Sequence, residues 1–172
     1  GAGHLPDARE EEATMTDSPE PLGAPGVPLI ARCGSTELRP IRREDAGLLF
    51  PQIHGQPGVT HWLSWEGPAV IRELEERYGA WHAGRADEPA YTFAVVDLAG
   101  GAVIGEASLR FDDHPGIGEL GYWLGEEHQG KGHGRATVEL LTRVGFECLG
   151  AFALTARVKE GNEASIAVLA GA

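Results

Sequence analysis

Three glycines alternate with other residues between Gly130 and Gly134, directly after a strand-like run that ends at Leu124. An apolar stripe of helical spacing follows them, made of Leu140, Leu141, Val144, Cys148 and Leu149. The first N–H groups of a helix have no partner within it, and glycines let an anion approach those groups closely. The helix dipole adds a partial positive charge, and Lys131 and Arg135 add full charges. This order of strand, glycine loop and helix predicts a pyrophosphate-binding loop.

The spacing within the loop argues against two other kinds of phosphate-binding loop. A P-loop carries Lys and then Ser or Thr after its last glycine, but Arg135 and Ala136 follow Gly134 here. The dinucleotide fingerprint needs a third glycine at the position of Arg135 and normally lies in a parallel βαβ unit. Neither a Mg-nucleotide nor a dinucleotide is therefore expected. The competing interpretation is that the glycines only mark a turn, as they do in any fold.

The pattern Gln129-x-x-Gly132-x-Gly134 matches the Q/R-x-x-G-x-G/A signature of the GNAT acetyltransferases. The longer stretch from Gly118 to Ala136, GELGYWLGEEHQGKGHGRA, resembles the middle of the RimJ/RimL-type subgroup, which acetylates amino groups with acetyl-CoA. The resemblance covers roughly residues 36–172. It implies an N-acetyltransferase that moves an acetyl group from acetyl-CoA directly to a primary amine, foremost a protein N-terminal amine.

The resemblance also implies which residues hold CoA. Backbone groups near the end of the strand would pair with the pantetheine arm, and the loop would hold the pyrophosphate. Asn162 and Ser165 resemble the N-x-x-S pattern of the subgroup, in which the Asn bonds the arm and the Ser hydroxyl faces the sulfur. Helix capping alone also favours Asn162, and spacing does not separate the two roles. The implied cofactor-binding residues are Tyr122, Trp123, Leu124, Gln129, Gly130, Lys131, Gly132, His133, Gly134, Arg135, Ala136 and Asn162.

Acetyl transfer to an amine needs a base for the amine proton and hydrogen-bond donors for the developing oxyanion. Glu119 lies amid apolar residues of the predicted strand, where partial burial would raise its pKa, and the resemblance implies a base at this place. We therefore predict Glu119 as the base and Ser165 as the residue facing the thiol. Glu106 on the preceding strand and His128 at the mouth of the loop are the alternatives. A purely structural strand glutamate is the competing interpretation of Glu119.

The composition is that of an ordinary soluble domain. The chain has 172 residues, 42% hydrophobic and 23% charged, which is enough for one domain. No apolar run reaches the roughly 18 residues of a membrane span, and no secretory signal pattern is present at the start. The net charge of −12 argues against nucleic acid and favours cationic partners such as amines, although an acidic surface is also ordinary.

The two cysteines and the ratio of lysine to arginine indicate the cellular compartment and the kind of genome. Cys33 and Cys148 form neither a disulfide framework nor a metal-ligand cluster, so we expect no metal and a reduced cytoplasm. Only two lysines stand against twelve arginines, and Ala and Gly are abundant, which suggests a GC-rich bacterial genome.

The chain divides into an arm and a domain. Residues 1–30 are acidic and proline-rich and are predicted to be disordered. Met15 is the only methionine, so residues 1–14 are expected to come from an expression vector. The acetyltransferase domain is assigned to residues 31–172. In its first part, Pro57 and Gly58 are predicted to end a helix, and Trp62 and Trp65 in the following loop are either core anchors or a wall of the acceptor groove.

Periodicity predicts the order β-α-α-β-β-β-α-β-α. The predicted strands are 37–41, 91–98, 103–111, 117–124 and 152–158, and the predicted helices begin near residues 42, 68, 135 and 162. Short connections predict antiparallel neighbours, and the helical crossover predicts that the last strand is parallel to the strand 117–124. The fold class is therefore α/β (α+β), a GNAT fold with a mixed, mostly antiparallel sheet, splayed strands and flanking helices.

The resemblance implies two further strands after the last helix, and the sequence as given lacks them. The strand 152–158 would then have an open edge, and a homodimer is one way to cover it. Two other functions stay open beside the leading one. The acceptor could be a small amine such as a polyamine, an amino acid or an aminoglycoside. The chain could also be an acyl-CoA-binding module without turnover.

Overall fold

In the computed structural model, residues 29–82 and 90–171 are described. The predicted disordered arm therefore lies almost wholly outside the described residues, as do Gly84 and Pro89, which were predicted to end the second helix. The helices are α1 Asp45–Ile53, α2 Pro57–Thr60, α3 Ile71–His82, α4 His133–Arg143 and α5 Glu163–Ala170. The strands are β1 Ala31–Cys33, β2 Thr36–Pro40, β3 Ala90–Asp97, β4 Ala102–His114, β5 Ile117–Leu124 and β6 Ala153–Ala156.

All six strands form one sheet in the order β1-β2-β3-β4-β5-β6. Each neighbouring pair from β1 to β5 is antiparallel, and β5 pairs with β6 in parallel. The meander and the parallel crossover are as predicted, because short turns allow only antiparallel pairing and α4 supplies the crossover. The mixed, mostly antiparallel fold class is confirmed.

The two strands on either side of α4 separate part of the way along. The parallel pairing of β5 with β6 runs from Ile117↔Ala153 to Leu120↔Ala156, and it stops there. β5 continues to Leu124 while still paired with β4 on its other side, where Gly105 lies opposite Leu124. The second half of β5 therefore borders an opening, which is the splay predicted for this pair of strands.

The sheet buries a different cluster on each face. Leu120 and Leu124 of β5 belong to a core with α4, which contributes Val138, Leu140 and Leu141. Trp123 belongs to the opposite core with α1 and α3, which contribute Leu49, Leu74 and Tyr78. This split follows from the period of two along a strand. Glu106 of β4 pairs with Trp123, so its side chain lies on the α1 and α3 face.

Beyond shifts of a few residues at other element ends, the structure departs from the prediction at three places. β1 was not predicted, because three residues are too few to display an alternating pattern. Pro57 begins α2 instead of ending a helix, since proline is tolerated in the first turn, where no N–H is needed. The helix predicted to extend to residue 149 is α-helical only to Arg143. It continues as a short π-helical segment over Val144–Cys148. No helix in the described ranges is both long enough and apolar enough to cross a bilayer.

Candidate active site

A cleft of about 790 Å³ opens where β5 and β6 separate. One side is formed by the glycine loop and α5, and the other by β4 and the loop between α2 and α3. The predicted site residues that line it are Glu119, Tyr122, Trp123, Leu124, Gln129, Gly130, Gly132, Gly134, Arg135, Asn162 and Ser165. Lys131, His133 and Ala136 lie outside this lining. The structure therefore brings most of the predicted residues together around one opening.

The glycine loop presents backbone N–H groups that have no acceptor. Gly130 and Gly132 have φ values of 73° and 89°, in the left-handed region that side chains disfavour. Within the described part of the chain, none of the N–H groups of residues 130–135 donates to a backbone carbonyl. A Cβ on Gly132 would meet nothing within 4 Å, so the space in front of the loop is open. Unpartnered N–H groups at a helix N-terminus are suited to bind an anion.

Two contacts fix the loop against the sheet. The Gln129 side-chain amide donates to the backbone carbonyl of Leu124 at 3.0 Å, so the loop is tied to the end of β5. Gly134 lies against the ring of Tyr122, where a Cβ would come within 3.5 Å of Cε2. The spacing of the loop signature thus has a local physical role, because Gln129 joins the strand to the loop and the backbone of Gly134 packs against the ring of Tyr122.

The His133 side chain points away from the cleft. It is buried, with Nδ1 at 2.8 Å from the hydroxyl of Thr36 on β2 and Nε2 at 3.8 Å from Asp97 on β3. These contacts hold the first turn of α4 on the sheet. Only the backbone of His133 is left to contribute to the anion site.

The charged residues of the loop are exposed. Lys131 is solvent-exposed beyond the lining of the cleft, and Arg135 donates through Nη2 to the backbone carbonyl of Gly171 at 3.2 Å. Arg135 therefore lies between the glycine loop and the end of α5. Lys131 and Arg135 both belong to residues 130–135, the segment whose backbone N–H groups have no backbone acceptor among the described residues.

Asn162 acts as the N-cap of α5. Its side-chain oxygen accepts a hydrogen bond from the backbone N–H of Ser165 at 3.2 Å. Both residues line the cleft. The cap uses only the Oδ1 atom, so the amide N–H₂ of Asn162 remains able to donate to a ligand.

Glu106 is the carboxylate held most tightly within the cleft. Its Oε2 accepts a hydrogen bond from the hydroxyl of Tyr78 at 2.7 Å and a longer one from Nε1 of Trp123 at 3.4 Å. Burial raises the pKa of Glu106, and the Tyr78 bond, the charge of Arg77 and the Trp123 bond oppose that rise. Burial also raises the pKa of Tyr78, with a further contribution from Glu106, so the phenol stays protonated and donates.

Glu119 lies in a different environment. Its Oε2 is 2.9 Å from Nε of Arg157, just beyond the end of β6, and the Arg157 side chain is largely exposed. This ion pair bridges the two strands at the point where they separate. The surroundings of Glu119 are thus more polar than the apolar neighbours along its own strand suggest.

Three tryptophans and one arginine form the wall of the cleft beyond Glu106. Trp62, Trp65 and Trp81 line it together with Arg77. Helical periodicity in the sequence predicts only positions on an apolar stripe for Tyr78 and Trp81, and it gives Arg77 no role. The available signal was the pattern Arg-Tyr-x-x-Trp on one helix, which places Arg77 and Trp81 one turn apart on the same face.

The fold and the site together define the class of protein. A mixed sheet whose strands separate beside a helix, with a glycine loop at the N-terminus of that helix, is consistent with the GNAT fold. The chain belongs to the family of the acetyltransferase (GNAT) domain, whose model matches residues 36–172. It is an acetyltransferase, and the prediction of a GNAT fold from the glycine loop is confirmed.

Individual proteins similar to this chain come from bacteria. The N-acetyltransferase p20 of Bacillus licheniformis, named as uncharacterized, is 28% identical over 133 residues, which are 77% of this chain and 74% of that protein. RimJ of Mycobacterium smegmatis, solved with a CoA-disulfide, has a TM-score of 0.69 at 21% identity and covers 84% of this chain and 72% of its own. The ribosomal-protein-S5-alanine acetyltransferase of Vibrio fischeri has a TM-score of 0.66 at 24% identity, and the match covers 83% of this chain and 80% of that protein. The fold is thus that of RimJ-type enzymes.

Proposed function

We propose that this protein transfers the acetyl group of acetyl-CoA to a primary amine, foremost the N-terminal amine of a protein. The observation that carries the proposal is the position of Glu106. This carboxylate lies in the same cleft as the free N–H groups of the glycine loop, on the neighbouring strand of β5. A CoA site and a proton acceptor therefore share one opening.

The residues around the opening fit CoA. The unpartnered N–H groups of residues 130–135, with Lys131 and Arg135, suit the pyrophosphate. β5 beyond Leu120 has no strand beside it on the β6 side among the described residues, so its backbone can pair with the amides of the pantetheine arm. Asn162 and Ser165 line the same cleft as these strand residues. When bound, acetyl-CoA supplies the acetyl group as an activated thioester.

Glu106 is the proposed general base, although the sequence placed Glu119 first. The pKa of Glu106 is raised towards neutral pH by burial, which suits a group that takes a proton from an ammonium ion. Both of its hydrogen bonds reach Oε2, so Oε1 has no partner among the described residues. Glu119 instead pairs with Arg157, which compensates its charge and occupies its Oε2 atom.

The reaction balances without a covalent enzyme intermediate. The ammonium group of the acceptor gives one proton to Glu106, directly or through one water, and the neutral nitrogen forms the new C–N bond as the C–S bond breaks. The nitrogen then loses its second proton, which passes to the thiolate of CoA with the hydroxyl of Ser165 as the proposed relay. Glu106 releases its proton to the solvent before the next turnover. Holding the amine and the thioester in line provides much of the rate acceleration.

The acceptor assignment rests on relatives and on the shape of the cleft. The V. fischeri protein is named for an alanine of ribosomal protein S5, and the cleft of this chain is open enough to admit a chain end. A protein acceptor of that kind would place the enzyme in the cytoplasm. A small amine is the second candidate, because Trp62, Trp65 and Trp81 also suit a compact apolar substrate.

Thiol release from acetyl-CoA tests the proposal. N-terminal peptides of ribosomal proteins, a polyamine, an aminoglycoside and free amino acids are each offered with acetyl-CoA, and free CoA is followed with a thiol reagent. We expect release with at least one peptide and a mass increase of one acetyl group on its N-terminal amine. CoA binding without thiol release from any acceptor would favour the non-catalytic acyl-CoA-binding alternative.

Replacing Glu119 with glutamine tests whether Glu119, instead of Glu106, is the general base. Glu119→Gln removes the ion pair with Arg157 but leaves the isosteric side chain, so CoA binding should be retained and kcat should fall only about two- to fivefold, as for a partly exposed ion pair. Steady-state kinetics measures kcat, and calorimetric titration measures CoA binding. A hundredfold loss of kcat with intact binding would instead make Glu119 the base.

Replacing Tyr78 with phenylalanine tests how the base is tuned. The Tyr78 hydroxyl bonds the Glu106 carboxylate and lowers its pKa, so Tyr78→Phe should raise that pKa and move the acidic limb of kcat/KM to higher pH. A pH profile of kcat/KM measures the shift. Tyr91→Phe is the control, since Tyr91 is an exposed tyrosine on β3 outside the cleft and should leave the profile in place.

A further inference from the structure

Arg77 is held in the cleft by two aromatic rings. Its guanidinium carbon lies 4.1 Å from the ring centroid of Trp65 and 5.6 Å from that of Trp81. Both distances are within the range of cation–π attraction. The side chain is partly buried and lines the cleft beside Glu106, whose pKa its charge lowers. Arg77 therefore has a fixed position on the acceptor side of the site.

Arg77 has no direct carboxylate partner among the described residues. Across the described residues, no hydrogen bond or ion pair engages its guanidinium, which carries five N–H donors. Helix α3 has three glutamates near it, and each is engaged elsewhere: Glu73 caps the N–H of Ala69, Glu75 contacts Arg43 and Glu76 pairs with Arg72. An oriented guanidinium without an acceptor is suited to bind a carboxylate in a bidentate way.

The other arginines of the cleft are engaged. Arg157 pairs with Glu119 at 2.9 Å, Arg110 with Asp112 at 3.4 Å, and Arg135 donates to the end of α5. Arg77 is thus distinguished from the arginines around it by the absence of a polar partner in the described structure. Its position also contrasts with the net charge of −12, which favours cationic ligands over the surface as a whole.

We infer that Arg77 is a specificity residue that binds a carboxylate carried by the acceptor, close to the amine that is acetylated. The inference rests on the proposed function and narrows its substrate class to acidic acceptors. The carboxylate can come from an Asp or Glu side chain next to a peptide N-terminus or from the α-carboxylate of a free amino acid. In either case Trp65 and Trp81 hold the guanidinium plane, and the amine is directed to Glu106.

Paired acceptors test this inference. The full chain is assayed at saturating acetyl-CoA with N-terminal peptides that differ only by Asp or Asn at the second position, and with a free amino acid and its amide. In one of the two pairs, we expect kcat/KM to be about 10- to 100-fold higher for the acceptor with the carboxylate than for its amide counterpart. The difference should arise mainly from a lower KM, because a charge-assisted hydrogen bond is stronger than a neutral one. The pair that shows the preference identifies the source of the carboxylate.

Arg77→Met should reduce that ratio to near one, since methionine keeps apolar contact with both tryptophans and removes the charge. The same variant should move the acidic limb of the pH profile upward, because Arg77 lowers the pKa of Glu106. Arg72→Met is the matched control on the same helix, since Arg72 is exposed and pairs only with Glu76, and the ratio should stay at its wild-type value.

The outcomes distinguish a failure of the role inferred for Arg77 from a failure of the proposed acetyl transfer. Equal kcat/KM for carboxylate and amide acceptors in the wild-type protein, or an unchanged preference in Arg77→Met, overturns the role of Arg77 while acetyl transfer stands. Thiol release from none of the acceptors contradicts the proposed function itself, and the inference falls with it.

Discussion

Glu106→Gln should lower kcat/KM by about 10²- to 10⁴-fold, the usual contribution of a general base. Glutamine is isosteric with glutamate and can still accept the Tyr78 hydrogen bond, so the shape of the cleft and the CoA site should be kept. Only the ability to take a proton from the amine is removed. The loss should therefore appear in kcat at saturating acetyl-CoA, and the acidic limb of the pH profile should disappear with it.

The control for this variant is Glu139→Gln. Glu139 is an exposed carboxylate on α4, outside the cleft, and its loss changes the net charge by the same amount. Its kcat/KM should match the wild-type value. If Glu106→Gln keeps wild-type turnover and its acidic limb, Glu106 is not the base, and Glu119 becomes the leading candidate again.

The same substitution should change stability in a pH-dependent way. The pKa of Glu106 is higher in the folded state than in the unfolded chain, so the folded state binds its proton more tightly. The free energy of unfolding of the wild-type protein therefore falls as pH rises from the ordinary glutamate range through the raised pKa. Glu106→Gln has no such titration, and its stability relative to wild type should increase over that pH interval. Urea unfolding at a series of pH values measures the difference.

The parts of the site that the sequence predicted well are those built from local signals. The β5 boundaries, the glycine loop and the cap at Asn162 depend on alternation, on positive-φ glycines and on residues a few positions apart. The crossover to β6 follows from the presence of a helix between two strands. Such signals act within about a dozen residues, and one sequence is enough to find them.

The parts that were missed depend on contacts between distant segments. His133 resembles a loop cation in sequence, but its ring binds Thr36, which is 97 positions away. Glu106 is held in the cleft because the hydroxyl of Tyr78, 28 positions earlier, donates a hydrogen bond to it from α3. Arg77 on α3 lies against Trp65 of the preceding loop, which stands outside the helical pattern that contains Arg77. No periodicity reports these pairs, so the sequence named candidates for the base without showing which carboxylate the Tyr78 hydroxyl contacts.

Gly132→Val should weaken CoA binding by more than about hundredfold. Gly132 has φ of 89° and is the N-cap of α4, and its missing Cβ leaves open the space in front of the free N–H groups. A β-branched side chain there would fill the space that the pyrophosphate needs and would disfavour the left-handed backbone that points the N–H groups outward. Calorimetric titration with CoA measures the loss.

Strain alone must be separated from the loss of the anion site, and Gly150 provides the comparison. Gly150 has φ of 72°, a Cβ there would also meet nothing within 4 Å, and it lies beyond the π-helical segment outside the cleft. Gly150→Val should therefore destabilise the fold by a similar amount, because both variants force valine into the left-handed region. It should nevertheless bind CoA with the wild-type Kd. Equal loss of CoA binding in both variants would attribute the effect to unfolding, and wild-type affinity in Gly132→Val would remove the glycine loop from the CoA site.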